Sequence, residues 1–209
     1  MMKNNNFSDV VFNRRSIRVY DESIKIERQE MLEMINEAVK APSSMNLQPW
    51  RFVVVDTPEG KEKLKPFIRF NTRQNDTSSA MLLIFGDMES VEYAEEIYNA
   101  AVDAGTMSQE MRDKQMEAII PIYQNLTREK INDVVKIDSS LFAMQMMLVA
   151  RHHGYDTNAI GGFIEDNLAE TFGLDSTRYV PVLILSIGRA IDKGYESMRL
   201  DAERLTSFK

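Results

Sequence analysis

The sequence predicts a single domain in which several helices are interleaved with about four or five strands. Three observations support this mixed class: helical apolar spacing, short continuous apolar runs, and capping residues between them. The 209 residues can enclose one substantial hydrophobic core. Because no stretch rich in proline, glycine and serine divides the chain, one domain over residues 1–209 is expected.

The helix signals begin at residues 28–40, where four apolar residues have the i, i+3, i+4, i+7 spacing of one helical face. These residues are Met31, Met34, Ile35 and Ala38. Thr57 is a candidate N-cap for the next helix, and Ser90 for a helix near residues 91–104. Residues 108–125 are more polar and predict a partly exposed helix, where a lid over an active site could lie.

Three apolar runs predict buried strands. Phe52-Val53-Val54-Val55, Met81-Leu82-Leu83-Ile84-Phe85 and the segment 180–187 are each short and bounded by turn-forming residues. The first follows the helix at residues 28–40 after a loop of about ten residues. These positions give the alternation of helices and strands.

Residues 127–153 form the longest predicted helix, with a broad apolar stripe. The stripe comprises Ile131, Val134, Val135, Leu141, Met144, Met147 and Leu148. Such a stripe exceeds what one small domain normally covers, so part of it is expected to pack against a second subunit; a core helix within one chain is the alternative. His152 and His153 precede Gly154, a pattern typical of a helix C-terminus, which favours a structural role over a catalytic or metal-binding one.

Composition narrows the function. The net charge of -7 opposes binding to nucleic acid or to an anionic membrane surface. The absence of cysteine excludes disulfides, thiolate metal sites and cysteine nucleophiles, and two adjacent histidines suggest no metal centre. No apolar run reaches the roughly 18 residues of a membrane span, and no signal peptide is evident. A cytoplasmic protein acting on small molecules is therefore expected.

The loop Ala41-Pro42-Ser43-Ser44-Met45-Asn46-Leu47-Gln48-Pro49 joins the helix at residues 28–40 to the first strand. Its prolines stiffen the backbone, and its serine, asparagine and glutamine side chains offer hydrogen bonds without net charge. This composition suits a neutral, polar ligand edge. An ordinary helix-to-strand connection would have a similar composition and remains the alternative.

A second segment, Arg14-Arg15-Ser16-Ile17-Arg18-Val19-Tyr20-Asp21, stands about twenty residues before that loop. Together the two segments resemble the opening motifs of the FMN-dependent nitroreductase family. The resemblance continues through Asn71, Ile160-Gly161-Gly162-Phe163, Gly188 and Arg199, and so covers essentially the whole chain. It implies an α+β fold in which helices flank a mainly antiparallel central sheet. It also implies an intertwined homodimer with non-covalent FMN at the subunit interface.

The resemblance assigns the phosphate of FMN to Arg14 and Arg199. Ser197 stands where relatives can have a second basic residue, so the phosphate contact is expected either to be weaker or to be assisted by Arg189. Arg18 is expected near N1 and O2 of the flavin ring, where a cation would stabilise the reduced form. Arg15 and Ser16 would hydrogen-bond the ribityl chain or the ring edge.

The remaining assignments concern the flavin ring. Asn71 is expected at the pyrimidine side, with Gln74 standing where relatives often have lysine. Backbone at Ile160, Gly161 and Gly162 would pass close to the ring, although the glycines alone could form a simple turn. The partner subunit is expected to contribute four loop residues, Pro42, Ser43, Ser44 and Asn46.

By this resemblance the chain is an FMN-dependent NAD(P)H oxidoreductase that works by a ping-pong mechanism on nitroaromatics or quinones. No side chain is expected to act as a nucleophile, and the choice between NADH and NADPH cannot be read. Alternatives on the same fold are a flavin reductase and a reductive dehalogenase. A flavin-binding storage or sensor protein with little turnover, or a cofactor-free helical scaffold, would belong to another class.

Overall fold

The computed structural model describes residues 3–209. The helices within that range are α1 Phe7–Phe12, α2 Arg28–Ala38, α3 Pro58–Leu64, α4 Thr72–Thr77, α5 Ala94–Asp103, α6 Gln109–Gln124, α7 Arg128–His152, α8 Leu168–Thr171 and α9 Ala202–Leu205. The strands are β1 Trp50–Val55, β2 Ala80–Asp87, β3 Asp156–Ile160 and β4 Tyr179–Gly188. Three 3₁₀ turns occupy Ser44–Asn46, Lys65–Phe67 and Ser90–Tyr93.

The strands form one antiparallel sheet in the order β1-β2-β4-β3. The expected central antiparallel sheet flanked by helices is therefore confirmed. The three predicted strands are β1, β2 and β4, whereas the sequence analysis did not identify β3. The register of β2 against β4 shifts between Ile84 and Phe85, where Pro181 stands in β4. Proline has no N–H to donate to a neighbouring strand, so within a sheet it is tolerated at an irregularity of this kind.

Strand β2 explains why the core has two halves, because every residue of this strand is buried. Ala80, Leu82 and Ile84 contribute to the cluster packed under α2 and α7. The alternate residues Met81, Leu83 and Phe85 contribute to the cluster under α3 and α8. Alternation of side chains along a strand thus places helices on both faces of the sheet.

The predicted helix at residues 28–40 is α2, which buries Met31, Met34 and Ala38. Thr57 caps α3 as predicted, since its side-chain oxygen accepts the Gly60 N–H at 3.1 Å. The prediction for Ser90 is wrong. Ser90 is the first residue of a 3₁₀ turn, and α5 begins only at Ala94. Such 3₁₀ turns are common at the start of α-helices.

Helix α7 starts and ends as predicted. Thr127 caps its first turn, and Gly154 adopts φ +85° just beyond its last residue. The predicted apolar stripe mixes two faces, however. Val135 and Met147 are buried in the core, whereas Leu141 is 44% exposed and Met144 41% exposed, beside Ile137 at 60%. The outward row is where the second subunit is predicted to pack.

The polar segment at residues 108–125 is α6, which is partly exposed as expected. Across residues 3–209, no helix combines the length and apolar character that crossing a membrane requires.

Candidate functional site

The segment from Arg14 to Tyr20 lies along the edge of the sheet at β3. The Ile17 N–H donates to the Thr157 carbonyl at 3.0 Å, and Ser16 forms a parallel bridge with the same residue. The buried Tyr20 hydroxyl donates to the Ile17 carbonyl at 2.9 Å and lies 2.7 Å from Ser186 Oγ. These contacts hold the backbone of the segment in place, so that its outward side chains can define a site.

Alternation along this segment separates its side chains into two cavities. Arg15 and Ile17 line a cavity of about 690 Å³ whose other walls carry both acidic and basic residues. Ser16 and Arg18 line a cavity of about 340 Å³, together with Arg73. Arg15 is therefore turned away from the wall that carries Ser16 and Arg18.

The residues after β4 run back over this segment. Gly194 has φ +67°, and a Cβ there would lie 3.0 Å from Ile17 Cδ1 and 3.1 Å from Arg15 Cβ. Only glycine suits both the conformation and the close packing. Gly194 borders both cavities, and the neighbouring Tyr195 ring lies 5.0 Å from the Arg18 guanidinium.

This return path brings Arg199 within electrostatic range of Arg14. Burial lowers the pKa of the Arg14 guanidinium, and repulsion from Arg199, Arg15 and Arg151 lowers that pKa further. Within residues 3–209, Arg14 and Arg199 form no ion pair with a carboxylate; Arg199 donates to Ser197 Oγ at 2.7 Å. Arg14 is therefore a half-buried cation that neighbouring cations repel and that no carboxylate neutralises. Such a group favours the binding of an anionic ligand.

Arg151 differs from these arginines because it is neutralised, by Asp156 at 2.5 Å and Asp9 at 3.3 Å. Arg151 was not predicted from the sequence. It is far from Arg14 along the chain and belongs to none of the motifs, so no sequence pattern linked the two residues. Arg189, which was expected to assist the phosphate contact, interacts electrostatically with Asp21. It is not among the charges that lower the pKa of Arg14.

Helix α4 supplies the opposite wall of the smaller cavity. Asn71 immediately precedes the helix, and its side-chain oxygen accepts the Gln74 Nε2 hydrogen bond at 2.9 Å. Gln74 is buried and therefore fixes the orientation of Asn71. Arg73, absent from the sequence prediction, lines the same cavity as Arg18. Two cations, Arg18 and Arg73, and one carboxylate, Asp192, thus line this cavity.

Strand β3 ends at the buried Ile160, and Gly161 and Gly162 follow it in exposed positions. A Cβ at Gly162 would have no neighbour within 4 Å, and at Gly161 it would only reach Leu183 at 4.0 Å. Neither residue has positive φ. The fold of the single chain therefore does not require glycine at these positions, and the surrounding space is open to a ligand.

The loop between α2 and β1 is held from below by two helices. Asp138 of α7 accepts the Ser44 N–H at 2.9 Å and the Ser44 hydroxyl at 3.2 Å. Burial raises the pKa of Asp138, although the two Ser44 hydrogen bonds oppose that shift. The Tyr98 hydroxyl of α5 donates to the Met45 carbonyl at 2.8 Å.

Three residues of this loop have left-handed backbone conformations, with φ of 54° at Met45, 56° at Asn46 and 48° at Gln48. Each such residue costs roughly 1–3 kcal/mol unless the surroundings compensate. Asn46 is exposed, whereas the half-buried Ser43 hydroxyl accepts the Gln48 N–H at 3.1 Å and so braces the loop. Strained, well-anchored backbone with outward polar groups is characteristic of a binding loop.

One chain does not bring all the predicted residues together. The loop is attached to α7 at Asp138, whereas the arginine cluster adjoins Arg151, thirteen residues further along the same helix. At a rise of 1.5 Å per residue, these attachment points are about 20 Å apart. The chain therefore carries two groups of candidate residues: Pro42, Ser43, Ser44 and Asn46 in the loop, and the remainder around the sheet edge.

Comparison with known proteins agrees with this architecture. The nitroreductase family model matches residues 11–189. The Bacillus subtilis protein YdgI, named "Putative NAD(P)H nitroreductase", is 51% identical over the full length of both chains. The "CLA biosynthesis enone reductase" of Lactiplantibacillus plantarum is 42% identical, covering 98% of this chain and 95% of the relative.

A crystal structure from Exiguobacterium sibiricum, described as a nitroreductase in complex with FMN, superposes with a TM-score of 0.97. It is 49% identical, and the match covers 99% of each chain. The antiparallel sheet, the paired motifs and these full-length matches lead to one conclusion: the chain belongs to the nitroreductase family.

Proposed function

We propose that this protein is an FMN-dependent NAD(P)H oxidoreductase that works by a ping-pong mechanism on an electron-poor acceptor such as a nitroaromatic or a quinone. One observation carries the proposal. Arg14 and Arg199 repel each other electrostatically, and neither has a carboxylate partner among residues 3–209, in a chain whose net charge is -7. Two arginines without a carboxylate partner, in a protein that is acidic overall, favour the binding of an anion.

The phosphate of FMN fits this pair. Guanidinium groups bind phosphate by paired, charge-assisted hydrogen bonds, and two of them balance a dianion. Arg14 is half-buried, so its contribution is screened less than that of a fully exposed arginine. Arg15 lies on the other side of the segment, and in this proposal it supports the cluster electrostatically.

The smaller cavity suits the polar edge of the flavin ring. Ser16 offers a hydroxyl group in this cavity. At the start of α4, outside the cavity lining, Gln74 holds the Asn71 amide in one orientation. FMN, when bound, supplies the redox chemistry by accepting a hydride from NAD(P)H and passing the electrons to the acceptor. Arg18 and Arg73 place positive charge where the reduced flavin gains negative charge, which favours reduction. Arg73 thereby offsets the absence of lysine at position 74.

The remaining candidates concern the flavin face and the partner subunit. Open space beside Gly161 and Gly162 lets the backbone after Ile160 approach a flat ring without steric conflict. The rigid loop carrying Pro42, Ser43, Ser44 and Asn46 would reach the site of the other subunit in a homodimer. The apolar row of Ile137, Leu141 and Met144 on α7 is the surface for that association.

Two observations bear on the acceptor. The chain carries no dinucleotide-binding motif, so the nicotinamide and the acceptor would use the same cleft in turn. The enone reductase relative at 42% identity favours a conjugated carbon–carbon double bond as a second candidate acceptor. Nitro, quinone and enone groups share low electron density at the atom that receives the hydride.

The test begins with protein purified without added flavin. Denaturation should release FMN, and anaerobic NADH or NADPH should bleach the bound yellow colour within seconds. Initial rates measured at several fixed acceptor concentrations should then give parallel double-reciprocal lines. A nitroaromatic, a quinone, an enone and free flavin should be compared as acceptors under the same conditions.

The outcomes separate the parts of the proposal. A colourless protein that ignores added FMN would refute the cofactor. Intersecting lines would refute the ping-pong order while leaving the cofactor in place. A yellow protein that bleaches slowly with both nicotinamides would favour a storage or sensor role.

A further inference from the structure

The C-terminal end of α7 carries a cluster of potential metal ligands that the redox proposal does not use. His152 and His153 lie against Glu37 of α2. One ring nitrogen from each histidine and one carboxylate oxygen lie within 4.8 Å of one another. The sequence alone gave no sign of this group, because Glu37 precedes the histidines by more than one hundred residues.

His153 is the fixed member of the cluster, with only 3% of its surface exposed. Its Nε2 lies 3.1 Å from Glu37 Oε2, and its Nδ1 lies 3.5 Å from Glu30 Oε1. Glu30 is itself held by the Tyr155 hydroxyl, which donates to Oε2 at 2.7 Å. A carboxylate behind the imidazole is the arrangement that orients histidine ligands in metalloproteins.

His152 is oriented in a comparable way. Its Nδ1 lies 2.9 Å from the Asn4 carbonyl oxygen. Since a carbonyl can only accept, Nδ1 must carry the hydrogen, and the lone pair of a neutral His152 is then on Nε2. A main-chain carbonyl is the other common partner of a metal-binding histidine.

We propose that Glu37, His152 and His153 form a zinc site that fastens α2 to the end of α7. Two imidazoles and a carboxylate are ligands that Zn²⁺ prefers, and a water molecule would complete four-coordination. With bonds near 2.1 Å, tetrahedral ligand atoms lie about 3.4 Å apart. The ligand atoms, up to 4.8 Å apart, must therefore move closer by as much as about 1.4 Å, which the partly exposed side chains of Glu37 and His152 allow.

Charge around the cluster permits such a cation. Glu30 and Glu37 carry two negative charges, and Lys3 balances one of them through Glu37 Oε1 at 2.5 Å. That leaves Glu37 Oε2, the oxygen facing His153, for the metal. Because α2 leads directly into the loop with Ser43 and Ser44, the site would brace the helix that delivers that loop.

The test uses untagged, chelator-treated protein and needs no redox assay. Zn²⁺ should bind with one site per chain in a chelator-competition titration, and Co²⁺ should give the visible absorption of a four-coordinate site. Glu37→Gln and His152→Gln should each weaken binding by more than tenfold, because each removes a direct ligand. Glu30→Gln should weaken it by about 10- to 100-fold, as expected for the loss of an orienting partner.

The matched control is Glu33→Gln, since Glu33 is an exposed carboxylate on α2 outside the cluster. It should bind Zn²⁺ like the parent protein. Affinity equally reduced in this variant would mean that zinc binds through general surface charge. Absence of one-to-one binding would also overturn the proposal and leave His153 as a structural residue between Glu30 and Glu37. His153→Gln is avoided because this buried ring also supports the fold.

Discussion

Replacing Arg14 should separate ligand binding from folding. Arg14→Met keeps an apolar stem in the half-buried position and removes the guanidinium. In the proposed site this deletes a charge-assisted contact to phosphate, which contributes about 1.5–3 kcal/mol. Since 1.4 kcal/mol corresponds to a factor of ten, FMN affinity should fall roughly 10- to 150-fold.

The same substitution should not destabilise the FMN-free protein. Arg14 forms no ion pair with a carboxylate within residues 3–209, and neighbouring arginines repel it. Removing its charge therefore breaks no internal ion pair and relieves repulsion. Thermal unfolding of the FMN-free variant should occur at the same temperature as in the parent protein, or a few degrees higher.

The control is Arg28→Met. Arg28 is 80% exposed and pairs with Asp56 at 3.1 Å. Such surface pairs contribute about 0–1 kcal/mol, so this variant should lose little stability and retain parental FMN affinity. Fluorescence titration of FMN into each protein gives the affinities. An unchanged affinity in Arg14→Met would refute the phosphate role, and a lower unfolding temperature without FMN would instead make Arg14 a structural residue.

Three further predictions concern redox potential, association and pH. Arg18→Ala should make the flavin potential about 30–60 mV more negative, since a charged hydrogen bond of 1.5–3 kcal/mol is lost from the reduced state; an unchanged potential in FMN-saturated protein would contradict this. Leu141→Glu should give a monomer with weak FMN binding, and a dimer in sedimentation would argue against the α7 interface. Burial lowers the pKa of Lys61 from 10.5 to about 8, so between those pH values the unfolded chain binds more protons and stability should rise with pH. Urea unfolding should show that rise reduced in Lys61→Met, and an identical rise would exclude Lys61 as its source.

The parts of the fold that the sequence predicted are those with a strong local period. Met31, Met34 and Ala38 mark one face of α2, and α2 packs that face into the core. Strand β2 consists of apolar residues bounded by turn signals, and all its residues are buried. In both elements the local pattern agrees with the tertiary environment, so the spacing of apolar residues was sufficient to predict the type of element and its buried face.

Strand β3 had no such pattern. Its sequence Asp156-Thr157-Asn158-Ala159-Ile160 is polar, and it is held by pairing with β4 and by the bridge at Ser16. The apolar stripe on α7 was predicted as one broad face, but spacing of three and four residues cannot show which of its residues are buried within one chain and which are directed outward. Both distinctions depend on partners distant in sequence.

The same limit applies to the candidate site. The motifs predicted Arg14 and Arg199, and in the structure these two guanidinium groups repel each other electrostatically. The motifs could not predict that Arg73 lines the same cavity as Arg18, because the position of Arg73 depends on how α4 docks against the opening segment. Tyr20 illustrates the docking, since its N–H donates to Thr77 Oγ1 at 3.1 Å.

The loop before β1 shows why a motif and its physical cause can lie far apart. The sequence indicated a polar loop, but its conformation depends on Asp138, ninety-four residues beyond Ser44. A buried carboxylate is unfavourable unless it is hydrogen-bonded, and Ser44 supplies two donors. Those bonds, with the Tyr98 contact to Met45, offset the left-handed conformations in the loop. The contacts from α5 and α7 thus compensate the backbone strain. The exposed side of the loop, away from these helices, remains free to bind a ligand.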